Sequence, residues 1–120
     1  MSVSFDKQAV LAKIKQQITD HAILLYMKGS PQMPQCGFSA KAVQLLQACN
    51  KPFAFVDILQ HPEIRATLPE YADWPTFPQL YINGELIGGS DIIAEMYADG
   101  ELVYEASGLK VGLFDNSAEG

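Results

Sequence analysis

Apolar positions along this chain follow two alternating periods. Val10, Leu11, Ile14 and Ile18 recur at helical spacing, which predicts an amphipathic first helix with Ser4 or Asp6 as its cap. Ala22 to Met27 (AILLYM) is a continuous apolar run, the pattern of a buried strand. The turn-rich KGSPQMPQ follows, and residues 37–49 return to helical spacing with Phe38, Ala42, Leu45 and Cys49 on one stripe. Phe53 to Asp57 (FAFVD) predicts a second strand, and His61 to about Tyr71 a helix with Pro62 in its first turn. Gln79 to Ile82 and Glu85 to Ile87 are short strands joined by Asn83-Gly84, the strongest short hairpin signal. Ser90 or Asp91 caps a helix through about Tyr97, and Gly100 ends it. Glu101 to Ala106 adds another turn or two, and the closing DNSAEG reads as a frayed tail.

The order is therefore α-β-α-β-α-β-β-α. Two parallel strands joined by a crossover helix, then an antiparallel hairpin, make an α/β fold with a mixed four-stranded sheet flanked by helices. That arrangement is thioredoxin-like. A chain of 120 residues with no repeat and no linker is one domain, long enough to bury a real core. Its net charge of −6 repels phosphate backbones and anionic lipid, so neither nucleic acid nor a membrane is an expected partner. The opening MSVSFDKQAV has no basic start followed by an apolar block, so the expected address is the cytoplasm. Two cysteines are too few for a disulfide framework and are expected as thiols.

Ligands on such sheets gather where strand ends meet helix starts, and the loop from Lys28 to Cys36 lies at one such place. Cys36 follows a loop and opens a helix, where unpaired amides and the helix dipole favour thiolate. Lys28 closes the preceding strand and adds positive charge. Cys49 lies 13 residues further along the same helix and shares the apolar stripe, which marks it as a core residue. At 1.5 Å per residue the two sulfurs stand roughly 20 Å apart, beyond disulfide reach. A dithiol redox cycle needs C-x-x-C, and the fourth position here is Ser39. The motif can form a mixed disulfide with an outside thiol, or offer one thiolate to a metal. His21 and His61 have no partner at zinc-ligand spacing, and His61 beside Pro62 reads as a turn residue. Trp74 is a poor candidate for nucleic-acid stacking in so acidic a chain. Met27, Met33 and Met96 are scattered and read as core filler.

CGFS after the K-G-S-P loop, then WPTFPQLYINGELIGGSDI, resembles the monothiol glutaredoxins of the CGFS type, in their compact single-domain bacterial form. The resemblance covers about residues 4–108, nearly the whole chain, which makes 1–108 the expected glutaredoxin domain and 109–120 a C-terminal tail. Ser90 departs from members that carry Cys there. The family's ligand is glutathione, an anion with two carboxylates, an amine and a thiol. The resemblance places Lys28 and Arg65 near its glycine carboxylate. It gives Phe77, before a cis Pro78, backbone pairing with the glutathione cysteine. Ser90 and Asp91 then meet the γ-glutamyl carboxylate and ammonium. On residue chemistry alone Lys28 and Arg65 are equally solvated charges, Pro75 and Pro78 ordinary loop prolines, and Ser90-Asp91 a plain helix cap.

Two functions remain, both using Cys36. One is a carrier that binds and transfers a [2Fe–2S] cluster with glutathione as co-ligand. The other is a monothiol disulfide reductase that removes glutathione from proteins, with at most weak enzyme activity. The resemblance favours the carrier, because the seven-residue spacer between Lys28 and Cys36 is longer than in dithiol relatives and is taken to hold glutathione at an angle poor for thiol exchange. A [2Fe–2S] centre generally takes four ligands, so with one usable thiolate per chain the cluster-bound form is expected as a homodimer, Cys36 of each chain and one glutathione thiolate apiece completing the set. The resemblance also implies a BolA-type protein as heterodimer partner and apo iron–sulfur proteins as recipients.

Overall fold

The computed structural model describes residues 6–102. The elements run in the predicted order: α1 (Lys7–Asp20), β1 (Ile23–Met27), α2 (Gly37–Ala48), β2 (Ala54–Asp57), α3 (Pro62–Ala72), β3 (Gln79–Ile82), β4 (Glu85–Gly88) and α4 (Ser90–Ala98). Asp6 caps α1, its Oδ1 accepting the N–H groups of Gln8 at 3.1 Å and Ala9 at 3.3 Å. The alternative cap, Ser4, lies outside the described residues. The chain turns helical again at 101–102. The rest of the turns expected up to Ala106 and the closing tail also lie outside the described residues.

The sheet order is β2-β1-β3-β4. β1 pairs in parallel with β2, with Leu25 opposite Phe55, and antiparallel with β3, with Leu25 opposite Leu80. A central strand covered on both faces is why AILLYM is apolar without interruption. Ile23, Leu25 and Met27 face a core completed by Val43 and Leu46 of α2, Ile93 of α4 and Leu102. Leu24 and Tyr26 face a second core completed by Val10, Ile14 and Ile18 of α1 and Ile64 and Leu68 of α3. Within the second, Tyr26 and Tyr81 meet edge-to-face with centroids 5.6 Å apart. The Tyr26 hydroxyl donates to Gln17 Oε1 at 2.8 Å, so its polar end is not stranded.

Two expectations about side chains need correction. Phe38 shares the helical phase of Ala42 and Cys49 but is 64% exposed, because the first turn of α2 points Ser39 inward, where its Oγ accepts the Lys28 N–H. The buried face of α2 is instead Ser39, Ala42, Val43 and Leu46. Met33 is not core filler either: it rides on the outside of the Lys28–Cys36 loop, 67% exposed. Met27 is fully buried and Cys49 nearly so, as their apolar surroundings in the sequence imply.

Candidate functional site

The site starts where β1 ends. The Lys28 N–H donates to Ser39 Oγ at 3.1 Å, and the Gln35 N–H donates back to the Lys28 carbonyl at 2.9 Å. Ser30 and Met33 exchange backbone hydrogen bonds of 3.2 and 3.0 Å between them. The loop thus closes on itself as a small hairpin. Gly29, at φ +94°, is the residue it closes over: a Cβ there would sit 2.5 Å from the Met33 carbonyl oxygen. This closure delivers Cys36 to the cap position of α2 with extended backbone, φ −155° and ψ 138°.

Partial burial pushes the Cys36 thiol up. The N–H groups of Ser39 and Phe38, the Ser39 hydroxyl and the Lys28 charge outweigh that and hold the thiol below its ordinary value. Cys49 has none of these partners, and burial pushes its thiol up. The two sulfurs, both free, have therefore been given opposite chemistry.

Cys36 lies on a groove of about 550 Å³. The structure brings Lys28, Arg65, Phe77, Ser90 and Asp91 to the same groove from four separate parts of the chain. Lys28 follows β1 and Arg65 lies on α3; among the described residues neither is in a salt bridge. Phe77 precedes a cis Pro78 at the start of β3. Ser90, buried, and Asp91, exposed, open α4 with Gly89 as cap. The start of a helix supplies unpaired amides that suit an anion. One cavity thus offers two cations, one carboxylate, a helix start and a thiol inclined to ionise. That set complements an extended zwitterionic ligand bearing carboxylates and an ammonium.

Three contributors escaped the sequence reading. Ser39 registered there only as a missing second thiol, yet it is fully buried and its hydroxyl joins β1 to the sulfur-bearing turn. Gln79 is also fully buried; its Nε2 donates to the carbonyls of Trp74 at 2.9 Å and Thr76 at 3.2 Å, and its Oε1 accepts from the Tyr81 hydroxyl at 3.1 Å. It holds the Trp74–Phe77 wall of the groove in place. The one signal for it was a polar residue opening an otherwise apolar strand. Trp74 packs against the Gly89 backbone, where a Cβ would stand 3.6 Å from its Nε1, and that indole N–H is buried without a partner among the described residues. His61 caps α3 as a turn residue, its Nδ1 3.4 Å from Glu63. Among the described residues no three His, Cys, Asp or Glu side chains converge as a metal site.

The glutaredoxin family model matches residues 23–87. The chain is 65% identical over 92 residues to "Glutaredoxin 4" of Pasteurella multocida, covering 77% of this chain and 84% of that protein. It is equally similar over 92 residues to "Glutaredoxin 4" of Escherichia coli K12, covering 80% of that protein. Among solved structures, reduced poplar apo GrxS14 superposes with a TM-score of 0.74 at 44% identity, over 85% of this chain and 94% of that one.

Proposed function

The chain belongs to the glutaredoxin family, and on that premise we propose that it is a monothiol member that carries [2Fe–2S] clusters with glutathione as co-ligand. The observation that carries the reading is the groove, which pairs one thiol held below its ordinary value with two cations that form no salt bridge among the described residues and with a helix start. The residues present fit glutathione: Lys28 and Arg65 attract carboxylate, Asp91 attracts ammonium, and the unpaired amides at the start of α4 donate to the remaining carboxylate. Glutathione supplies a second thiolate beside Cys36. A [2Fe–2S] cluster generally takes four ligands, most often thiolates. Cys49 is buried at the far end of α2, so each chain contributes one sulfur. Two chains and two glutathiones complete the set, which makes the loaded form a homodimer and the empty form a monomer. Ligands held without covalent bonds release the cluster readily, which suits delivery to apo iron–sulfur proteins. A BolA-type protein is the proposed alternative partner.

A second reading, glutathione-dependent disulfide reduction, is favoured by the same lowered thiol, since the thiolate is the nucleophile in exchange. It needs no cluster and no dimer. The two separate on anaerobic reconstitution with glutathione, followed by absorption, size exclusion and assays of iron, sulfide and glutathione. The carrier reading expects a dimer with one cluster and two glutathiones, lost in Cys36→Ser and kept in Cys49→Ser. A cluster on a monomer, or one that survives removal of glutathione, would sink it. Residues 1–108 are the proposed domain, 109–120 its tail. No described helix is long and apolar enough to cross a membrane. With bacterial relatives at this similarity, the cytoplasm is the proposed location.

A further inference from the structure

The two groove cations sit on segments that do not touch each other in sequence, yet one side chain outside the groove joins both. Asp57 ends β2, far from Lys28 in the chain and at the head of the connection that leads to Arg65. Its Oδ1 accepts the Gly29 N–H at 2.9 Å, one residue after Lys28. The same oxygen accepts the Leu59 N–H at 2.9 Å, at the start of the connection that leads into α3 and Arg65. Among the described residues no Lys or Arg forms a salt bridge with it, so it is not serving as a counter-ion there. Gly29 is also the point over which the Lys28–Cys36 loop closes.

We propose that Asp57 is a positioning residue for the anion site: through one oxygen it fixes the spacing between Lys28 and Arg65, so that both meet one carboxylate without prior reordering. This rests on the reading of the groove as the glutathione site. The oxygen matters here, and the negative charge does not. A carboxylate near two cations weakens their attraction for an anion, so an electrostatic role would run in the opposite sense to the one proposed. Holding two long cationic side chains at a working spacing removes part of the ordering cost that binding otherwise carries.

The test is calorimetric titration of reduced glutathione into the full chain and its variants. Asp57→Ala should weaken binding by about tenfold, while Asp57→Asn, which keeps the accepting oxygen, should stay within about twofold of the wild type. In a Lys28→Ala background, Asp57→Ala should cost only about twofold, because residues acting through one another are not additive. Equal weakening in both backgrounds, the mark of a general loss of stability, overturns the positioning role. Should Asp57→Ala fail to fold, Asp57→Ser, with a shorter acceptor, takes its place with the same expected order. Binding by Asp57→Ala equal to wild type, alongside weak binding by Lys28→Ala, overturns the positioning role and leaves the groove reading standing. Asp57→Asn as weak as Asp57→Ala overturns it too. No binding by the wild type overturns both.

Discussion

At the scale of single residues, Cys36 and Cys49 divide the thiol chemistry. A thiol whose folded value lies below its unfolded value, about 8.5, stabilises the fold above that pH, and the contribution is lost as pH falls through the folded value. Alkylation of native Cys36 should therefore continue below pH 8.5 where a free thiol has slowed, while Cys49 stays unlabelled until unfolding. Timed alkylation with mass mapping across pH reads both; faster native labelling of Cys49 would reverse their roles. Ser39→Ala should move the Cys36 midpoint upward, because it removes the hydroxyl from beside the sulfur. Lys28→Ala, Arg65→Ala and Asp91→Ala should each weaken glutathione binding by about 1–3 kcal/mol, the range for a charge-assisted hydrogen bond. Unchanged affinity in all three would move the ligand elsewhere. The candidate thiolate was legible in the sequence because a cysteine opening a helix carries its chemistry in its own side chain and position, whereas Lys28 and Arg65 were singled out as ligand-binding cations only by the family resemblance. Ser39 and Gln79 were not legible, because their roles come from carbonyls and amides that only the folded chain brings to them.

At the scale of elements, the period of apolar residues foretold every helix and strand of the described region, with ends off by a residue or two. β1 and the Asn83-Gly84 hairpin were the clearest, since burial on both faces and a left-handed turn each leave a direct mark; Asn83 and Gly84 have φ +54° and +81°. The stripe on α2 was read one residue out of phase at its first turn. Periodicity records which residues line up, but not that a polar Ser39 takes the inward position at this turn by accepting the Lys28 N–H. The loop before Cys36 gives the element-scale prediction. Gly29→Ala places a methyl group against the Met33 carbonyl at a positive φ, so it should destabilise the protein by about 1–3 kcal/mol. Urea denaturation measures this. A variant as stable as wild type would mean that the loop opens without cost and does not fix Cys36.

At the scale of the whole molecule, α1 is held to α3 chiefly by the core of Ile14, Ile18, Ile64 and Leu68, with two surface ion pairs beside it. Lys7–Glu70 at 2.6 Å has both side chains more than half exposed, and Lys13–Glu63 spans 3.1 Å. Removing either lysine should cost less than about 1 kcal/mol at neutral pH. Glu63 is pushed up by burial, but its own backbone amide, Lys13 and His61 prevail and hold its carboxyl below the ordinary carboxylate value. Its contribution is present above about pH 4.5 and fades as pH falls through the lower folded value. Thermal melts from pH 7 to pH 3 should show wild type losing its advantage over Lys13→Ala in that acidic window. An advantage that persists at pH 3 would assign it to packing of the lysine stem.

The groove is assembled from the end of β1, from α3, from the start of β3 and from the start of α4, and no single segment holds enough of it to bind anything. Recognition and folding are consequently one equilibrium. A ligand that meets only the finished arrangement draws the population toward it, by about 2.7 kcal/mol when present at a hundred times its dissociation constant. On the proposed glutathione reading, the cellular thiol pool acts as a chemical chaperone for this chain, and a fall in that pool raises the fraction of molecules open to proteases.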